Sequence, residues 1–91
     1  KIKSLPVSEI KIDKSFILKL AEDDEDKILV RSTIELAHNL GMQVTAEGVE
    51  DEESVELLRE YVCDTLQGYH ICRPVPVEEF EAFIAQREQE K

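Results

Sequence analysis

Between Glu9 and Gly48 the chain reads EIKIDKSFILKLAEDDEDKILVRSTIELAHNLGMQVTAEG, and the spacing of its apolar residues changes twice. Glu9-Ile10-Lys11-Ile12-Asp13 alternates polar and apolar, which puts Ile10 and Ile12 on one face of a short strand and Lys11 and Asp13 on the other. Lys14 to Leu20 can make a turn or two of helix. The acidic run Glu22 to Asp26 interrupts the apolar pattern, is expected to be solvated, and offers Asp26 as the N-cap of the next element. From Lys27 to Leu40, Val30, Ile34 and Ala37, flanked by Leu29, Leu36 and Leu40, follow the i, i+4, i+7 spacing of an amphipathic helix, with Gly41 at the C′ position. Met42 to Glu47 alternates again and meets Gly48, so a second strand ends in a tight turn carrying Glu47 and Glu50.

Strand, helix and strand joined by short connections make a parallel βαβ unit. The pattern continues with a helix from near Asp51, its buried stripe formed by Val55, Leu58 and Val62. A third strand is expected at Thr65 to Ile71, with Gly68 inside it and Pro74 and Pro76 bounding the loop beyond. A last helix from about Val77 buries Phe80, Phe83 and Ile84. The fold class is therefore α/β, three consecutive βα units with parallel strands. Helices on one side leave the other sheet face bare, although parallel sheets are almost always covered on both. Lys11, Asp13, Thr45 and Glu47 fall on that second face, and charged groups there suit a site better than a core.

Composition narrows the function. The 91 residues carry 11 Lys+Arg against 21 Asp+Glu, a net charge of −10, with 42% hydrophobic and 35% charged residues. Such a balance argues against binding a nucleic acid polymer, which is held mainly by Lys and Arg. No stretch approaches the roughly 18 apolar residues of a membrane span, and KIKSLPVSEI lacks the apolar core of a signal peptide, so a soluble, cytoplasmic segment is expected. Cys63 and Cys72 match no metal-ligand spacing and read as reduced, partly buried thiols. His38 and His70 match no ligand spacing with each other, and His38 reads as a surface or partly buried helix residue. The tail from Gln86 to Lys91 reads as solvated.

Three segments, Leu5-Pro6 with Lys11-Ile12-Asp13-Lys14-Ser15-Phe16, then Ala46-Glu47-Gly48-Val49-Glu50, then Leu66-Gln67-Gly68-Tyr69 followed by Arg73-Pro74, together resemble the C-terminal part of EAL domains, the cyclic di-GMP phosphodiesterases. KID or EGVE alone is a weak match, whereas the three in this order and at these separations are specific. Lys14 stands where Arg is frequent, and Cys72 where Ser often precedes Arg-Pro. The resemblance implies a fragment, about strands six to eight, of a TIM-like barrel that needs roughly 200 residues or more. The family's EAL signature, metal-binding Asn and Glu, and DDFGTG motif are expected upstream of Lys1, in a missing N-terminal part. Self-association of the open fragment is the other way to complete it.

The resemblance also implies roles. Glu47 corresponds to the carboxylate proposed in the family as general base on the attacking water, or as its holder directly or through a bound metal, Mg2+ or Mn2+ in the intact domain; the plain reading is a solvated turn glutamate. Lys11 corresponds to the lysine near the scissile phosphate, where a cation stabilises developing charge; otherwise it is an edge-strand lysine. Asp13 pairs with or orients Lys11, or is structural. Glu50 organises the substrate loop, or favours the helix N-terminus electrostatically. Gln67 contacts substrate through its amide. Arg73 meets phosphate or stacks on guanine, or is simply solvated.

The implied function is the C-terminal part of a cyclic di-GMP phosphodiesterase yielding linear pGpG in second-messenger signalling, inactive as this chain alone, with GGDEF or sensor domains as candidate neighbours. Two alternatives stand beside it. One is a non-catalytic EAL-like receptor or protein-interaction module, and the other is an independent small acidic α/β interaction domain.

Overall fold

A computed structural model describes residues 9–69 and 71–89; Leu5, Pro6 and His70 of the sequence reading lie outside the described residues. In chain order they form β1 (Glu9–Ile12), a 3-10 turn (Lys14–Phe16), α1 (Asp24–Asn39), β2 (Gln43–Val49), α2 (Glu52–Glu60), β3 (Thr65–Gly68), β4 (Ile71–Pro76) and α3 (Val77–Gln89). The four strands make one sheet in the order β1-β2-β3-β4. The first two pairings are parallel, as expected of βα units, and α1 and α2 supply the crossovers that parallel neighbours require.

The third unit departs from the expectation. Thr65 to Ile71 is two strands, because the chain reverses at Gly68-Tyr69, where Tyr69 has φ +50°. The Ile71–Pro76 segment returns antiparallel to β3, so Pro74 and Pro76 lie within a strand and not in a loop. They are tolerated because β4 is an edge, where a missing N–H removes no ladder bond. Tyr69 seals the turn by meeting the Phe80 ring edge-on, with centroids 5.6 Å apart.

Three smaller boundaries also move. Asp23, not Asp26, caps α1, its carboxylate accepting from the backbone N–H of Glu25 at 2.9 Å and Asp26 at 3.1 Å. The acidic residues Asp24, Glu25 and Asp26 then occupy the first turn, where the helix dipole favours negative charge. β2 runs two residues beyond Glu47, to Val49. Val62 is no part of the buried stripe, being 64% exposed, because α2 stops at Glu60 and the chain turns through Val62 at φ +66° to bury Cys63 instead. α3 begins at Val77 as expected, buries Phe80 and Ile84 with Phe83 half-buried, and continues through Gln89.

One buried cluster joins the layers: Ile12, Val44, Ala46, Leu66 and Val75 from the sheet meet Val30, Ile34 and Ala37 of α1, Val55 and Leu58 of α2, and Phe80 and Ile84 of α3. Asp64 ties the layers at the start of β3. Its Oδ2 accepts from the Val44 N–H at 2.7 Å and lies 2.8 Å from His38 Nε2 at the end of α1.

Candidate functional site

The face of the sheet turned away from that cluster carries the polar residues. Lys11 pairs with Thr45 and Thr45 with Thr65, so the three stand side by side across β1, β2 and β3. Strand alternation then puts Glu47 and Gln67 on the same face, two residues closer to the C-terminal strand ends. The Thr45 hydroxyl donates to the Glu9 carboxylate, and the Thr45 and Thr65 hydroxyls are 2.6 Å apart. Lys11 is exposed, whereas Glu47 and Gln67 are half-buried.

The local sequence explains why the strand ends are shaped as they are. The β2–β3 register shifts between Ala46 and Val49, a bulge of the kind that re-aims side chains beside sites. Gly48 sits in it at φ +76°, and a Cβ there would come within 2.4 Å of the Lys14 Cβ, so the backbone after Glu47 runs hard against the 3-10 turn. Val49 then returns to the core. Beside it, a Cβ on Gly68 would lie 2.1 Å from the Val49 carbonyl oxygen, and the residue following Gln67 therefore packs backbone against backbone.

The remaining residues singled out from sequence are Asp13, Glu50 and Arg73, of which Asp13 lines the groove beside β1 together with Lys11. Asp13 leaves the strand, and its exposed carboxylate accepts from the Ser15 N–H at 2.9 Å, capping the 3-10 turn. That bond, then the Ser15 hydroxyl and more weakly the Lys14 charge, hold its pKa below the usual carboxylate value. Glu50 is exposed between β2 and α2, while Asp51 caps α2 through the Ser54 N–H at 2.7 Å. Arg73 lies on β4 beside Val75 and lines a cleft of about 590 Å3 with Ile71, Glu79 and Phe83, on the α3 side of the sheet. Glu9 and Thr65 are the face residues that sequence reading passed over. The alternation of Glu9 with Lys11, and of Thr65 with Gln67, carries the signal that finds them.

Among the described residues no group of three or more His, Cys, Asp or Glu is placed to hold a metal ion. A hard divalent cation takes about six oxygen ligands, so Glu47 offers part of such a set and the residues described here do not complete one. The free thiol of Cys63 is buried, and its Sγ lies 3.5 Å from the Val44 carbonyl and 3.4 Å from that of Thr65. Burial pushes this thiol up to about 12, far from any nucleophilic use near neutrality. No helix among the described residues is long and apolar enough to cross a membrane.

The chain resembles known proteins in sequence and in fold. The family model for the EAL domain matches residues 1–74. The bifunctional diguanylate cyclase/cyclic di-GMP phosphodiesterase MucR of Pseudomonas aeruginosa is 42% identical over 84 residues, covering 92% of this chain and 12% of that protein. Among solved structures, the PaMucR phosphodiesterase in complex with c-di-GMP superposes with a TM-score of 0.69 at 42% identity, over 84% of this chain and 31% of the other. An EAL domain protein from Listeria monocytogenes EGD-e gives a TM-score of 0.68 at 45% identity, over 90% of this chain and 33% of the other. The chain spans about a tenth of the length of the curated relatives it matches. With its three parallel strands, its polar strand-end face and these matches, the chain belongs to the EAL domain family.

Proposed function

We propose that this segment is the C-terminal part of a phosphodiesterase domain that hydrolyses cyclic di-GMP to linear pGpG in cytoplasmic second-messenger signalling. The observation that carries the reading is the grouping of Lys11, Glu47 and Gln67 on one polar sheet face toward the C-terminal strand ends, where barrel enzymes of this architecture bind their ligands. The Glu47 carboxylate takes a proton from water as the water oxygen bonds to a ring phosphorus and the P–O3′ bond breaks, the leaving 3′-oxygen taking a proton from solvent to become the hydroxyl of pGpG. The Lys11 ammonium offsets charge growing on the phosphate oxygens. The Gln67 amide meets a guanine edge or a phosphate oxygen. Glu50 organises the loop after β2, whereas Arg73, on the α3 side of the sheet, has no part in this mechanism.

Metal dependence belongs to the same proposal. The cation is Mg2+ or Mn2+, and its ligands other than Glu47 come from the rest of an EAL domain. That remainder also covers the edge of β1, where Ile10, Ile12, Phe16 and Leu29 line an open groove of about 290 Å3. Without it, the chain buries its edges by self-association, detectable as a concentration-dependent mass in sedimentation. GGDEF or sensor domains are the expected neighbours in a longer protein.

Kinetics on a complete EAL domain carrying this segment test the assignment. Glu47→Gln should lower kcat on the order of a hundredfold or more while binding of cyclic di-GMP with Ca2+ persists. Lys11→Ala should lower kcat strongly, and Gln67→Ala should chiefly raise KM. A near-normal kcat for folded Glu47→Gln removes Glu47 from the mechanism. Absence of turnover by the unaltered domain, with binding intact, favours a receptor.

A further inference from the structure

Each of the three residues assigned to substrate or water has a hydrogen-bonded side chain two positions before it on the same face. Glu9 precedes Lys11, Thr45 precedes Glu47, and Thr65 precedes Gln67. These three make one chain across β1, β2 and β3. The Thr45 hydroxyl has a single proton, and it goes to the Glu9 carboxylate, so the Thr65 hydroxyl donates to the Thr45 oxygen over 2.6 Å. Thr45 is fully buried, which shields its own hydroxyl from competing water, while Thr65 is half-buried and Glu9 exposed.

The position of the chain along the strands matters as much as its bonds. Regular pairing of β2 with β3 holds at Thr45 with Thr65 and at Ala46 with Leu66, then shifts before Val49 with Gly68. Glu47 therefore stands inside the bulge, where the backbone ladder no longer fixes its alignment with Gln67. The last side-chain tie before the bulge is the one between Thr45 and Thr65.

We propose that Glu9, Thr45 and Thr65 are positioning residues, a polar layer beneath Glu47 and Gln67 and beside Lys11 that holds the three strands in lateral alignment so that Lys11, Glu47 and Gln67 converge. The kinetic consequence rests on the phosphodiesterase reading, while the geometric one does not. Thr45→Val keeps volume and β-branching and removes the hydroxyl, whereas Thr45→Ser keeps the hydroxyl.

In a complete EAL domain carrying this segment, Thr45→Val should lower kcat on the order of tenfold with KM within about twofold, the pattern of a displaced group, and Thr45→Ser should restore most of the loss. Amide hydrogen exchange on the same samples should quicken severalfold at Glu47 and Gln67 in Thr45→Val, with Val44, held by Asp64, unchanged. If the unaltered domain shows no turnover, the phosphodiesterase reading fails and the exchange measurement alone decides the positioning role. Wild-type exchange at Glu47 and Gln67 in Thr45→Val overturns the proposal, as does a Thr45→Ser variant as impaired as Thr45→Val.

Discussion

Replacing Val62 by glycine should stabilise the chain, an unusual outcome for removing an apolar side chain. α2 ends in a six-to-one closure, the Cys63 N–H donating to the Leu58 carbonyl at 2.9 Å and the Val62 N–H to that of Arg59 at 3.0 Å. This is the Schellman arrangement, which requires the residue after the C-cap to be left-handed and which α1 closes in the same way around Gly41. At α2 the left-handed residue is β-branched, with φ +66°. The left-handed conformation costs an L-residue about 1–2 kcal/mol, and β-branching puts valine at the upper end. Val62 is 64% exposed, so truncation forfeits only about 0.5 kcal/mol of burial. Glycine gives back about 0.5–1 kcal/mol through its freer unfolded chain. The balance favours Val62→Gly by about 0.5 to 1 kcal/mol, equivalent to a rise in Tm of roughly 2 to 8 °C for a domain of this size. Urea unfolding at fixed protein concentration, with an unchanged m-value, measures it directly. The reverse change, Gly41→Val, meets nothing within 4 Å of the new Cβ and should destabilise through conformation alone. A Val62→Gly variant less stable than the parent refutes the strain assignment.

Asp64→Ala should cost about 3 kcal/mol, since it removes a charge-assisted bond and strands the buried Val44 N–H, whereas His38→Ala leaves that N–H paired and should cost about 1 kcal/mol; a cost below 1 kcal/mol for Asp64→Ala in urea unfolding contradicts the clamp. Gly68→Ala should be the more damaging of the site glycine changes, because the new Cβ meets Val49 backbone at 2.1 Å and backbone cannot swing aside; circular dichroism and urea unfolding of a variant close to wild type count against that packing. Burial, and secondarily the Asp64 charge, raises the Cys63 thiol to about 12 in the fold from its ordinary value near 9. The folded state therefore holds a proton that the unfolded chain releases, so this contribution is present below about pH 9 and lost as pH rises toward 12. The unfolding midpoint should fall from pH 8 to 10.5 more steeply than in Cys63→Ala, and equal slopes count against it.

The alternation read over Glu9 to Asp13 and Met42 to Glu47, where the strands are Glu9–Ile12 and Gln43–Val49, and the helical spacing of Val30, Ile34 and Ala37 were legible because each is a local period. A period says which side chains share a face, and that was enough to put Lys11 and Glu47 together on a polar face and to name the family from three short motifs. Boundaries were less secure where two neighbouring residue types serve equally well, as with Asp23 and Asp26 before α1.

Only the tertiary structure decided which surfaces meet. Local pattern cannot tell an edge strand from a loop, so Pro74 and Pro76 read as loop residues until β4 folded back on β3 and took the sheet's open edge. Nor can it tell that the turn after α2 exposes Val62 and buries Cys63, since either residue continues an apolar pattern. The Asp64 clamp joins residues 20 and 26 positions apart, and the Thr45 hydroxyl reaches Glu9 across 36. Such bonds form when packing brings distant strands together, and the residues that make them carry no mark of it in the chain, whereas the face they occupy is written into every second position.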